Sequence, residues 1–123
     1  MLIRFFSESG TRPRDYDLIV TGDLGHEGAQ ILREIMSVSG YTLGENYTDC
    51  GIMIYDKQTQ DTHAGGSGCG CSAAVVSAFL VPALRKKIIK NAIFVGSGAM
   101  MSPDMIKQGK SIPAIGHLLV LER

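Results

Sequence analysis

Gly65-Gly66-Ser67-Gly68-Cys69-Gly70-Cys71-Ser72 runs without a break into Ala73-Ala74-Val75-Val76-Ser77-Ala78-Phe79-Leu80-Val81-Pro82-Ala83-Leu84. Residues 58–70 are polar and end in this glycine-rich loop, and the spacing beyond predicts a helix from Cys71 to about Ile88. Its basic end, Arg85-Lys86-Lys87, suits the negative pole of a helix. The apolar residues from Ala73 to Leu84 wrap the whole circumference, and a helix apolar all round is buried on all sides. One small sheet covers one side. A chain of 123 residues has few elements left to cover the other. The expected fold therefore lacks a layer, to come from a partner, a second copy or another part of the same protein. The alternative is that segments 1–15 and 98–114 fold over the helix.

Outward from this helix, Tyr16–Thr21 is a short apolar run bounded by charge and Gly22, and predicts a buried strand. Asp23 is placed to cap the next segment. There Ile31, Leu32, Ile35 and Met36 recur at helical spacing, and Gly40 marks the end. Cys50–Tyr55 reads as a second strand, with Asn91–Gly96 and Ile115–Leu121 as two more. Met100–Ala114, holding Pro103 and Pro113, is a long connection. Strands alternating with helices imply an α/β fold with right-handed crossovers. Leu118–Leu121 is apolar on both faces, which predicts a sheet covered on both.

The length allows one domain. Twelve basic and twelve acidic side chains give zero formal charge, without the electrostatic footprint of a nucleic-acid binder. Met1–Phe6 is too short for a signal-peptide core, and the longest apolar run falls far short of the ~20 residues of a membrane span. Three cysteines, an odd number, argue against a secreted disulfide framework. The chain is expected to be intracellular.

Glycine is in excess, 15 of 123 residues, and four of them cluster at 65–70, which asks for a local reason. Glycine lets a backbone approach a ligand closely, and a helix start presents free N–H groups to an anion. The candidate ligand-binding residues are Gly66, Ser67, Gly68, Cys69, Gly70 and Cys71, with Asp23 and His63. Gly68 and Gly70 are expected where a Cβ would block the ligand or forbid a positive φ. The other reading is that small residues let loop and helix enter a crowded core. Residues 68–73 match G-x-G-x-x-A, but no strand directly precedes them and Phe94-Val95-Gly96-Ser97 carries no acid. Cys69 and Cys71 stand too close for a zinc pair, so both are expected to be buried and structural, with no metal or cofactor. A catalytic Cys71 would need a base. His63 is the nearest histidine in sequence, and His26 and His117 are the others. Asp23 and Glu27 can act as acid and base, or as a cap and a first-turn acid.

YDLIVTGDLGHEG (16–28), NYTDCGIMIYD (46–56), HAGGSGCGCSAAV (63–75), FVGSGAMMSP (94–103) and QGKSIPAIGH (108–117) together resemble the C-terminal part of the stage V sporulation branch of the thiolase-like superfamily. The resemblance covers about residues 13–123. That superfamily pairs two similar α/β halves, each with a central helix buried between sheets. The resemblance thus implies that residues 1–123 form one incomplete, C-terminal thiolase-like half: a mixed sheet with a central buried helix, the N-terminal half being absent. Fold relatives use a Cys–His–Asn set for acyl transfer. Their nucleophile lies in the other half. Where they carry the His, this sequence has Gly22-Asp23, and where they carry the Asn it has Gly68-Cys69-Gly70-Cys71. The resemblance implies a non-catalytic protein that binds dipicolinic acid, alone or as its calcium complex, and supports its uptake into the forespore and release at germination. It also implies other spore membrane-channel proteins as partners, a place peripheral to the inner spore membrane, and no nucleic acid. An acyltransferase or condensing enzyme, disfavoured by the missing His and Asn, is one alternative. A purely structural component of a membrane-channel assembly is the other.

Overall fold

A computed structural model describes residues 1–99 and 102–123. The chain runs α1 (Leu2–Ser9), a 3-10 turn (Pro13–Asp15), β1 (Leu18–Thr21), α2 (Gly25–Val38), β2 (Tyr47–Asp49) and α3 (Cys50–Met53). Then follow α4 (Cys69–Val75), a π-helical stretch (Val76–Leu80), α5 (Val81–Arg85), β3 (Asn91–Ala99), α6 (Pro103–Lys107) and β4 (Ala114–Glu122). The sheet order is β2-β1-β3-β4; β1 is parallel to both neighbours and β4 is antiparallel to β3. The protein is thus α/β with a four-stranded mixed sheet.

Side chains alternate across a strand, so successive residues of β1 serve two cores. Ile19 joins Leu2, Phe6, Tyr16, Met36, Tyr47 and Ile93 on one face, and Val20 joins Cys50, Cys71 and Val75 on the other. The predicted strands 16–21, 91–96 and 115–121 and the two longer helices are all present, with ends shifted by a few residues.

Cys50–Tyr55 is not a strand. The strand lies just upstream, at β2, and the chain turns at once into α3, where the Asp49 carboxylate accepts the Gly51 N–H. A short apolar run cannot distinguish a strand from a buried helical turn, and here the cap decides.

Segment 1–15 does not fold over the long helix. It forms α1, which seals the opposite core with Leu2 and Phe6; the Phe6 ring lies 5.4 Å from that of Tyr41. Of the connection 100–114, Met100 and Met101 lie outside the described residues, and α6 buries none of its side chains.

The long helix begins at Cys69, two residues before the predicted start. It buries Cys71, Val75, Leu80, Ala83 and Leu84, while Ala73, Ala74, Ser77, Ala78 and Phe79 (47% exposed) face outward. Within the chain one apolar face is therefore uncovered. The buried positions Val75 and Leu80 are five apart because the helix widens between them: the Val81 N–H donates to the Val76 carbonyl. Pro82 offers no N–H to the preceding turn, and its ring crowds the carbonyl four residues back; the wider turn relieves both. The expectation of a sheet covered on both faces also fails at β4. This strand ends the sheet order, and Ile115, Leu119 and Val120 are exposed. Among the described residues no helix is long and apolar enough to cross a membrane.

Candidate functional site

In open α/β sheets, ligands bind outside the carboxyl ends of the parallel strands. Here those ends bring together Gly22-Asp23 after β1, Asp49 at the end of β2, and Ser97 near the end of β3. Gly22 has no room for a side chain, since a Cβ would stand 2.7 Å from Ser97 Oγ. The turn after β1 can therefore lie directly against β3.

Asp49 is fully buried and organises the turns around it. Its carboxylate accepts the Thr21 hydroxyl at 2.6 Å, the Leu24 and Gly25 amides at 2.9 and 3.0 Å, and the Gly51 amide at 2.9 Å. The orphan donors at the start of α2 are thus met by Asp49 and not by Asp23, which corrects the expected cap. No side chain caps α2 from its own N-cap position, Leu24.

Asp23 instead ties three segments together. One carboxylate oxygen accepts Ser67 Oγ at 3.0 Å and the Gly68 amide at 3.1 Å; the other accepts Ser97 Oγ at 2.8 Å. Burial pushes this carboxyl up, but the bonds from Ser97, Gly68 and Ser67 outweigh it and hold its pKa below the ordinary value. Asp23 is ionised at neutral pH. The cluster borders an open cleft of about 970 Å³, lined also by Cys69, Ser72 and, on its apolar wall, Leu24, Ala114 and Ile115.

The predicted residues divide. Asp23, Ser67, Gly68 and Cys69 meet at the cleft. Gly66 lies beneath it, buried, donating its N–H to the Gly51 carbonyl at 2.7 Å. Gly68 has φ +105, as expected for an obligatory glycine, whereas Gly70 is helical and a Cβ there meets nothing within 4 Å. Cys71 is buried in the second core and burial raises its thiol pKa; Cys50 in the same core is pushed up to about 12 by burial. Both thiols stay protonated. Cys69, expected to be buried, is exposed at the cleft. His63 is exposed on the 57–63 turn, with Nδ1 3.3 Å from Asp61, and lines a separate hollow.

Sequence reasoning missed Asp49 and Ser97, and it had Ser72 at the end of the candidate turn without counting it among the binding residues. The signal for the first two was their place at strand ends. Chemically, the cleft offers the Cys69 amide that opens α4, the Ser72 hydroxyl, and the Asp23 carboxylate, which already takes the Ser67 and Ser97 hydroxyls and the Gly68 amide. Among the described residues no cationic side chain lines it. Among the described residues no three His, Cys, Asp or Glu side chains converge to hold a metal.

Comparison with known proteins covers nearly all of the chain. The family described as Stage V sporulation protein AD (SpoVAD) matches residues 1–122. The stage V sporulation protein AD of Bacillus subtilis (strain 168) is 42% identical over 118 residues, which are 96% of this chain and 35% of that protein. The chain thus spans about a third of the length of this relative.

Proposed function

This chain belongs to the stage V sporulation protein AD family, and from that premise we propose that it is a non-catalytic, thiolase-like sporulation protein whose cleft takes dipicolinic acid. The observation that carries the reading is the meeting, at the carboxyl ends of β1 and β3, of the Cys69 amide and the Ser72 hydroxyl with the Asp23 carboxylate that Ser67 and Ser97 hold. A pyridine dicarboxylate is a compact dianion, and such donors suit its carboxylates. Ionised Asp23 lines the same cleft and repels a bare dianion. The cleft's charge therefore favours the calcium complex, in which the cation offsets that repulsion.

Gly22 and Gly70 stand where acyl transfer needs an imidazole and an amide, which supports binding rather than turnover. The uncovered faces of the long helix and β4 support a second thiolase-like layer packing here and completing the cleft. In this reading the protein serves dipicolinate uptake into the forespore and its release at germination, beside membrane-channel partners at the inner spore membrane.

Calorimetric titration with dipicolinate, with and without calcium, tests the reading. It is run on the chain alone and mixed with the portion of the Bacillus subtilis relative that this chain does not match. Asp23→Asn is expected to weaken binding of the calcium complex and to strengthen binding of the free dianion. Equal affinities for the two proteins in both forms, with the fold intact by circular dichroism, would move the ligand out of this cleft.

A further inference from the structure

The chain carries no net charge, but its cations are unevenly placed. Arg85-Lys86-Lys87-Ile88-Ile89-Lys90 holds four of them and no acid, and the Arg123 amide donates to the Lys90 carbonyl, bringing a fifth to the same edge. All five are exposed, and among the described residues none is ion-paired. The acids nearby are Asp15, whose carbonyl accepts the Asn91 side-chain amide at 3.1 Å, Asp17, which accepts the Lys90 amide at 2.6 Å, and Glu122, opposite Asn91 across the β3–β4 ladder.

Two details of this turn are unusual. The helix ends with the Lys87 amide donating to Leu84 and the Ile88 amide to Ala83, a closure whose left-handed residue is ordinarily glycine. Here that residue is Lys87, at φ +61. A cation stands where glycine would be less strained, and strain of this kind points to a use for the side chain. The residue after it, which in this closure ordinarily packs back on the helix, is Ile88, and it is 72% exposed. An isoleucine is thus presented among four lysines and arginines of its own turn.

We propose that the Arg85–Lys90 turn docks on an anionic lipid bilayer, Ile88 entering the headgroup layer and the surrounding cations meeting lipid phosphates. A bilayer offers a plane of negative charge over an apolar interior, and this pairing matches an exposed apolar side chain ringed by cations. The turn enters β3 at Asn91, roughly 20 Å along the strand from Ser97, so docking here leaves the cleft facing away from the lipid. The proposal rests on the membrane-side placement in the reading above, but not on the ligand.

The test is co-sedimentation of the chain with phosphatidylcholine vesicles, pure or carrying about one-third phosphatidylglycerol. The wild type is expected to bind the anionic vesicles, less so as salt rises. Each cation removed should weaken binding about fivefold, so Lys86→Gln/Lys87→Gln/Lys90→Gln loses roughly a hundredfold. Lys87→Gly separates docking from folding, since it should weaken binding while leaving thermal stability equal or higher. Lys107→Gln/Lys110→Gln is the control and should bind as the wild type does. Equal binding to neutral vesicles, unchanged binding of the triple variant, or capture by polyglutamate but not by vesicles would each overturn the proposal. Dipicolinate titration of the triple variant should be unaltered, so failure here and failure of the ligand reading are told apart.

Discussion

The front and rear of the glycine-rich loop differ in what surrounds them. At the front, three backbones cross at close range. A Cβ on Gly25 would press on the Ala64 carbonyl, one on Gly51 on the Gly66 carbonyl, and one on Gly65 would stand 2.5 Å from the Gly51 oxygen. At the rear, a Cβ on Gly68 or Gly70 meets nothing within 4 Å. The glycine excess therefore has two causes. The front glycines let loop, α2 and α3 interlock, as the crowded-core reading requires. Only at the rear does open space leave the backbone available to a ligand.

The largest test of this contrast is Gly51→Ala. Its new methyl group meets backbone, which cannot swing aside, so a loss of about 3 kcal/mol is expected, at the upper end of overpacking effects. The urea midpoint measures it, and a loss under about 1 kcal/mol would erase the distinction between front and rear. A middle-sized effect is expected at Asp23→Asn, which loosens the tie between the two parts. Solvent screens this carboxylate, so the cost at neutral pH is of order 1 kcal/mol or less. Because folding lowers the Asp23 pKa, its stabilisation is complete above the unfolded value, near 3.8, and lost as pH falls through the lower folded value. Thermal melts of wild type and variant should differ at neutral pH and converge in acid. A gap that persists there would assign the effect to something other than charge. The smallest effect, of opposite sign, is expected at Gly70→Ala: a gain of up to about 1 kcal/mol, since the position is helical and open. A rise in melting temperature checks it, and a fall would show that the rear is as crowded as the front.

Much of the fold is legible in local pattern. The run Tyr16–Thr21, the spacing of Ile31, Leu32, Ile35 and Met36, and the paired strands after Asn91 all appear where their apolar periodicity places them. Cys50–Tyr55 is illegible because its conformation depends on one carboxylate, Asp49, whose four donors come from three separate segments. The site follows the same division. Ser67, Gly68 and Cys69 announce themselves by glycine and by the helix start. Ser97 lies about 30 residues further on and joins them only because β3 pairs with β1. The opposite placements of Cys69 and Cys71 follow from helix geometry: two residues apart, they point about 200° apart around the axis. The helix start at Cys69 sets that contrast.

The widened turn at Val76–Leu80 has a consequence for how the gene can change. Of the buried positions along the helix, 71, 75, 80 and 84 follow a four-residue count interrupted once by five, with Ala83 buried beside the last. Such a turn has the geometry of one inserted residue absorbed without moving either end. Deleting a single codon between Val76 and Phe79 would restore the even count and leave Cys71 and Leu84 on their buried faces. This is a point where related genes can differ in length by one residue while specifying the same packing, and sequences compared across it must be allowed a single gap.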